Sequence, residues 1–161
     1  IPRFAKNGII ASMQPVHQIS DRLMAEARLG PARLAGAYAW KTLSQAGVPI
    51  AFGSDTPVES PDPFAGLAAA ITREGADGQP FGGWQPQERL GRIEAIDAFT
   101  RGAAFAGFAE ERFGILTPGM RADFILLDVD PLLSTPGDLR NAKVVETWVG
   151  GIRRYQQDGG R

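Results

Sequence analysis

The sequence contains no cysteine and a single histidine, His17. The first absence excludes a disulfide scaffold, although it leaves the compartment unfixed. The two scarcities together exclude an ordinary zinc site built by this chain alone, since such a site draws about three or four ligands mainly from Cys and His. An excess of either charge is also missing: 17 Lys and Arg face 18 Asp and Glu. That balance gives no argument for a nucleic-acid face or an anionic membrane surface. No apolar run approaches the roughly 20 residues that span a bilayer. The opening residues Ile1-Pro2-Arg3-Phe4-Ala5-Lys6 lack the apolar segment of a signal peptide. Position 1 is not methionine, so the chain is expected to begin within a longer protein, with a cytoplasmic location as the default. Internal repeats, heptads and low-complexity tracts are absent as well.

What is present is the material of a globular fold. The 161 residues set a prior of about one domain, and 43% of them are apolar, enough for a core. Residues 9–16 read as a buried strand ending at Pro15. Ser20-Asp21 then marks a helix start, interrupted at Gly30-Pro31. A helix is expected from Pro31 to Gln45, closed by Gly47, because proline suits the first helical position and glycine the residue past the end. A strand containing Ile50 and Phe52 follows. Strand, helix, strand in this order is a βαβ unit with parallel strands.

Further on, Phe64 to Arg73 reads as a small-residue helix. Residues 75–86 form a glycine- and proline-punctuated loop in which Phe81 and Trp84 serve as anchors. A helix from Arg92 to Gly107 presents Ile96, Phe99, Ala103 and Ala106 at helical spacing. After Gly114 the pattern turns to β, with Phe124 to Leu127 as one strand. Val144 to Val149 and Ile152 to Tyr155 form a hairpin across Gly150-Gly151. Arg89, Arg92, Arg153 and Arg154 read as solvated charges.

The most informative run is Val48-Pro49-Ile50-Ala51-Phe52-Gly53-Ser54-Asp55-Thr56-Pro57-Val58. An apolar strand ends there in a small-residue turn that presents one carboxylate. In a barrel of parallel strands the C-terminal strand ends face the active site, so Asp55 is the leading candidate for chemistry. On spacing alone Asp55 reads equally as a turn residue or helix cap. Glu59 and Asp62 lie close by, but Pro57, Pro61 and Pro63 make that stretch extended and its carboxylates solvated. Asp123, Asp128 and Asp130 read as turn and strand-end residues.

Taken in order, several segments resemble the C-terminal portion of an amidohydrolase-superfamily enzyme of amidohydrolase family 3. They are Ala11 to His17, Gly36 to Trp40, Ala46 to Pro49, Gly53 to Val58 and Gly114 to Asp123. The resemblance implies an α/β fold, incomplete as given: the last two βα units of a TIM-type barrel, then the C-terminal part of a β-sandwich domain. The barrel share would be residues 1–112 and the sandwich share 113–161. It further implies that Asp55 is metal ligand and catalytic base, and that His17 and Gln14 contact substrate. A divalent metal, zinc by first choice, is expected in the complete enzyme and none in this segment alone. The expected partners are the N-terminal remainder of the enzyme or a complementing chain, a small-molecule substrate, and further copies in a homo-oligomer. The family's other metal ligands would precede Ile1. A non-catalytic barrel fragment serving assembly or binding is therefore the alternative reading.

Overall fold

Two short apolar strands organise the first half of the chain, in a computed structural model that describes residues 1–158. A short helix α1 (Pro2–Lys6) leads into β1 (Ala11–Met13), and β2 is Ile50–Phe52. The two strands run parallel, with Ala11 opposite Ile50, Ser12 opposite Ala51 and Met13 opposite Phe52. Parallel neighbours need a crossover. Here it consists of α2 (Pro15–Leu29), α3 (Pro31–Leu34) and α4 (Trp40–Gln45).

The strand–helix–strand order agrees with the sequence reading, but two boundaries differ. The helix expected from Ser20 begins at Pro15, whose fixed φ suits a first helical residue. The helix expected over Pro31 to Gln45 is two helices, separated at Tyr38, where φ is 52°. Tertiary bonds hold that break. The Tyr38 hydroxyl donates to Asp21 Oδ2 at 2.7 Å, and its carbonyl accepts from Arg73 Nη1 at 3.0 Å. Burial, reinforced by Asp21, pushes the Tyr38 phenol up to about 12.

Asp62 starts α5 (Pro63–Thr72) by accepting from the Phe64 amide at 2.9 Å. Its buried residues include Gly66, Ala68, Ala69 and Ala70, and so small a surface lets neighbouring helices approach closely. Arg73 follows in a left-handed conformation and is wholly buried. Its guanidinium carbon lies 4.3 Å from the Trp40 ring centroid and 5.6 Å from that of Trp84. Nε donates to the Trp84 carbonyl. Burial lowers the Arg73 pKa to about 10, with nearby Glu88 opposing the shift. Glu88 is itself buried and accepts from the Thr42 amide at 2.9 Å and from the Thr42 hydroxyl.

The loop aromatics divide. Trp84 is buried and donates from Nε1 to Glu26 at 2.6 Å, whereas Phe81 is 93% exposed and anchors nothing. A single 3₁₀ turn, Pro86–Glu88, ends the loop. Arg89 and Arg92 are not the solvated charges expected. Arg89 donates to the carbonyls of Thr72 and Gly82, and Arg92 to those of Pro131 and Ser134, so both hold loops in place.

The helix expected from Arg92 to Gly107 is also two, α6 (Arg92–Phe99) and α7 (Arg101–Ala106), broken at Thr100. The break seats Gly102 on the β2 backbone, where an added Cβ would stand 2.1 Å from the Ile50 carbonyl oxygen. Only glycine fits there. Ala95, Ala98 and Ala104 are the fully buried residues of this pair, with Ile96 and Phe99 partly covered beside them.

The remaining strands, β3 (Phe124–Leu127), β4 (Val144–Val149) and β5 (Ile152–Gln156), form an antiparallel sheet in that order. Gly150 and Gly151, at φ 60° and 74°, make the expected two-residue hairpin turn. Asp123 accepts from the Gly150 amide at 2.8 Å, and Arg121 beside it holds its carboxyl below the usual range. Asp128 and Asp130 likewise accept from the amides of Lys143 and Leu132, as turn residues do. A short helix the sequence reading omitted, α8 (Pro136–Arg140), lies between β3 and β4. Its Leu139 enters the core shared by Trp40, Phe52, Phe64 and Leu67. The result is a mixed α/β fold with two small sheets. Among the described residues no helix is long and apolar enough to cross a membrane.

Candidate active site

Because β1 and β2 are parallel, their C-terminal ends open onto one edge of the sheet. Gly53 extends the pairing past β2 by donating to the Met13 carbonyl at 3.2 Å. Gln14 leaves β1 in extended conformation and stands at the N-cap of α2, where its carbonyl accepts from the His17 amide at 3.1 Å. His17 therefore sits on the first turn of α2, half-buried. Its Nε2 is buried with no hydrogen-bond partner among the described residues. Gln18 beside it is wholly buried, and both polar atoms of its amide lack a partner as well.

Asp55 lies beyond the end of β2 in a turn, exposed, with φ of 56°. The turn closes where the Val58 amide donates to the Asp55 carbonyl at 2.8 Å. Thr56 Oγ1 donates to the Glu59 carbonyl at 2.9 Å. Glu59 Oε1 in turn accepts from Ser20 Oγ on α2 at 2.7 Å. No helix starts at Asp55; the cap of the following helix is Asp62. A cavity of about 130 Å³ opens beside this turn, lined by Val16, Gly53, Ser54, Asp62, Gly66 and Phe99.

The arrangement brings the predicted residues Gln14, His17 and Asp55 to the same edge of one sheet, on two successive strand ends. It does not assemble a metal site from them. Among the described residues, no group of three or more His, Asp or Glu side chains is placed to hold an ion. Asp55 offers one carboxylate, which suits one coordination position of a divalent ion and not the whole set. The same carboxylate is chemically able to accept a proton from a bound nucleophile.

Sequence reasoning missed the bond between Ser20 and Glu59. It treated Glu59 as solvated, and the two residues are 39 positions apart with no local pattern to join them. It also passed over Gln18. Gln18 shares the buried face of α2 with Pro15 and Ala25, a placement seen only in the structure.

With this geometry in view, the likeness to known proteins becomes specific. A family model described as the amidohydrolase family matches residues 1–155. YtcJ of Bacillus subtilis (strain 168), assigned to the amidohydrolases, is 34% identical over 157 residues, 98% of this chain and 30% of that protein. The N-substituted formamide deformylase of Arthrobacter pascens is 31% identical over 119 residues, covering 74% of this chain and 21% of the enzyme. Among solved structures, an uncharacterized metal-dependent hydrolase from Pyrococcus horikoshii superposes with a TM-score of 0.72 at 30% identity. That match covers 83% of this chain and 27% of the other. The chain thus spans less than a third of each of these proteins. Matched along nearly its whole length, it belongs to the amidohydrolase family.

Proposed function

We propose that this chain is the C-terminal segment of a metal-dependent hydrolase that cleaves an amide or related C–N bond with activated water. The observation that carries the reading is the position of Asp55, an exposed carboxylate just past the C-terminal end of β2. It shares that edge with Gln14 and His17. Family membership supports the hydrolase class, and the name of the formamide deformylase supports the bond type. In this reading residues 1–112 are the last two βα units of a (β/α)8 barrel, and residues 113–161 are the C-terminal share of a β-sandwich. The remainder of the enzyme, or a complementing chain, supplies the other ligands. A cytoplasmic location remains part of the reading.

When bound, a divalent metal, zinc by first preference, lowers the pKa of coordinated water and polarises the scissile carbonyl. Asp55 would hold one position on such an ion, and its carboxylate oxygen would accept the proton of the attacking water. It then returns that proton to the leaving nitrogen, which departs as a neutral amine. Gln14 and His17 orient the substrate from the end of β1 through an amide and an imidazole.

In the complete protein, Asp55→Asn is expected to lower turnover of N-substituted formamides and simple amides by at least about 10³-fold. The metal-free forms of the variant and the parent should unfold at the same midpoint, since Asp55 makes no side-chain bond among the described residues. Near-normal turnover would sink the assignment.

The second reading, a non-catalytic barrel fragment serving assembly or binding, is favoured by the lack of a three-ligand cluster among the described residues. Native mass spectrometry separates the two. The 17.2 kDa chain appearing only within a larger metal-bearing assembly supports the hydrolase. Metal-free self-assemblies support the fragment.

A further inference from the structure

We propose that Glu59 is a positioning residue that fixes the turn carrying Asp55 relative to the helix carrying His17; this rests on the hydrolase reading above. Asp55 occupies a left-handed backbone conformation, one that Asp tolerates in turns. The bond from the Val58 amide to the Asp55 carbonyl closes the turn locally but ties it to nothing else. Glu59 makes the outside connection with two groups. Its carbonyl accepts from Thr56 Oγ1, next to Asp55 in the chain, at 2.9 Å. Its carboxylate reaches α2 and accepts from Ser20 Oγ at 2.7 Å.

Ser20 stands on α2 one turn beyond His17, and its hydroxyl also lies 3.5 Å from the Val16 carbonyl. The path from the Asp55 turn through Thr56, Glu59 and Ser20 therefore reaches α2, the helix that carries His17. It joins the two strand ends on the side where the chemistry is placed. Ser20 is exposed and Glu59 only half-buried, so the bond adds little to global stability. Its value is geometric: a displacement of about 1 Å at a reacting group costs roughly a hundredfold in rate.

The test uses the complete protein and four variants: Glu59→Ala, Glu59→Gln, Ser20→Ala and the Glu59→Ala/Ser20→Ala pair. Three quantities are measured: Co²⁺ affinity by titration of the apoprotein, kcat and KM on an N-substituted formamide, and the unfolding midpoint. Glu59→Ala is expected to weaken Co²⁺ binding about tenfold and lower kcat about 10–100-fold, with KM nearly constant. The unfolding midpoint should move by no more than about 2 °C. Glu59→Gln keeps an oxygen acceptor for Ser20 and should restore most of both losses. Ser20→Ala should reproduce Glu59→Ala, and the double variant should be no worse than either single one.

Wild-type Co²⁺ affinity and kcat in Glu59→Ala would overturn the positioning role. So would a fall in the unfolding midpoint alone, or a failure of Glu59→Gln to recover. Asp55→Asn runs alongside as the control. If it loses both metal and turnover while Glu59→Ala loses neither, only the positioning role falls. If Asp55→Asn retains both, the hydrolase reading and the positioning role fall together.

Discussion

The surroundings of Arg73 and those of Asp55 lie at opposite ends of α5 and its approach, and they are held in opposite ways. Arg73 is wholly buried, sandwiched by Trp40 and Trp84, and bonded to carbonyls from two distant segments. Asp55 is exposed, in a turn joined to the rest of the chain by a few hydroxyl and amide bonds. One charge is held by packing and the other is left free at the surface. The contrast teaches where each kind of damage should appear: at the buried arginine in stability and, on the function proposed above, at the exposed aspartate in turnover.

Substitutions on the two sides can break that contrast or sharpen it. The largest stability loss is expected for Arg73→Ala, about 3–5 kcal/mol, the range for emptying a large buried site. It removes the ring contacts and strands the carbonyls of Tyr38 and Trp84. Denaturant unfolding measures it, and a loss under about 1 kcal/mol would mean that the buried charge holds nothing. Gly102→Ala comes next, at about 2–3 kcal/mol, because a methyl group would meet a backbone oxygen that cannot move without β2. The smallest effect belongs to the edge of the Asp55 turn. Asp62→Ala removes the α5 cap and should cost about 1 kcal/mol by the same measurement. If it costs as much as Arg73→Ala, the turn is structural in its own right and the contrast fails.

What could be read from the sequence depended on whether the cause was local. The hairpin at Gly150-Gly151 was legible because a two-residue turn needs positive φ at both positions. The parallel strands were legible from their apolar runs, and the place of Asp55 in a turn past β2 from the abrupt end of one of them. The breaks at Tyr38 and Thr100 were not. Neither carries a local stop signal that the sequence reading used, and each is held by a distant group: Asp21 and Arg73 on one, the Ile50 carbonyl on the other. α8 had a local signal that went unused, Thr135 before Pro136, with Thr135 Oγ1 accepting from the Asp138 amide at 3.1 Å. Arg89, Arg92 and Glu59 were misread for one common reason. A charged residue in a proline- and glycine-rich stretch looks solvated until its partner, many residues away, is seen.

The guanidinium of Arg73 also bears on how the chain moves. The segment from Gly75 to Trp84 has the composition of a mobile loop, rich in glycine and carrying an exposed Phe81. Yet Arg73 grips its far end at Trp84 and, with another nitrogen, grips Tyr38 ahead of α4. Opening the loop at that end thus means withdrawing a cation from between two indole rings. The loop should breathe at its tip and exchange its Trp84 amide, which donates to the Arg73 carbonyl at 3.0 Å, only when the core itself opens.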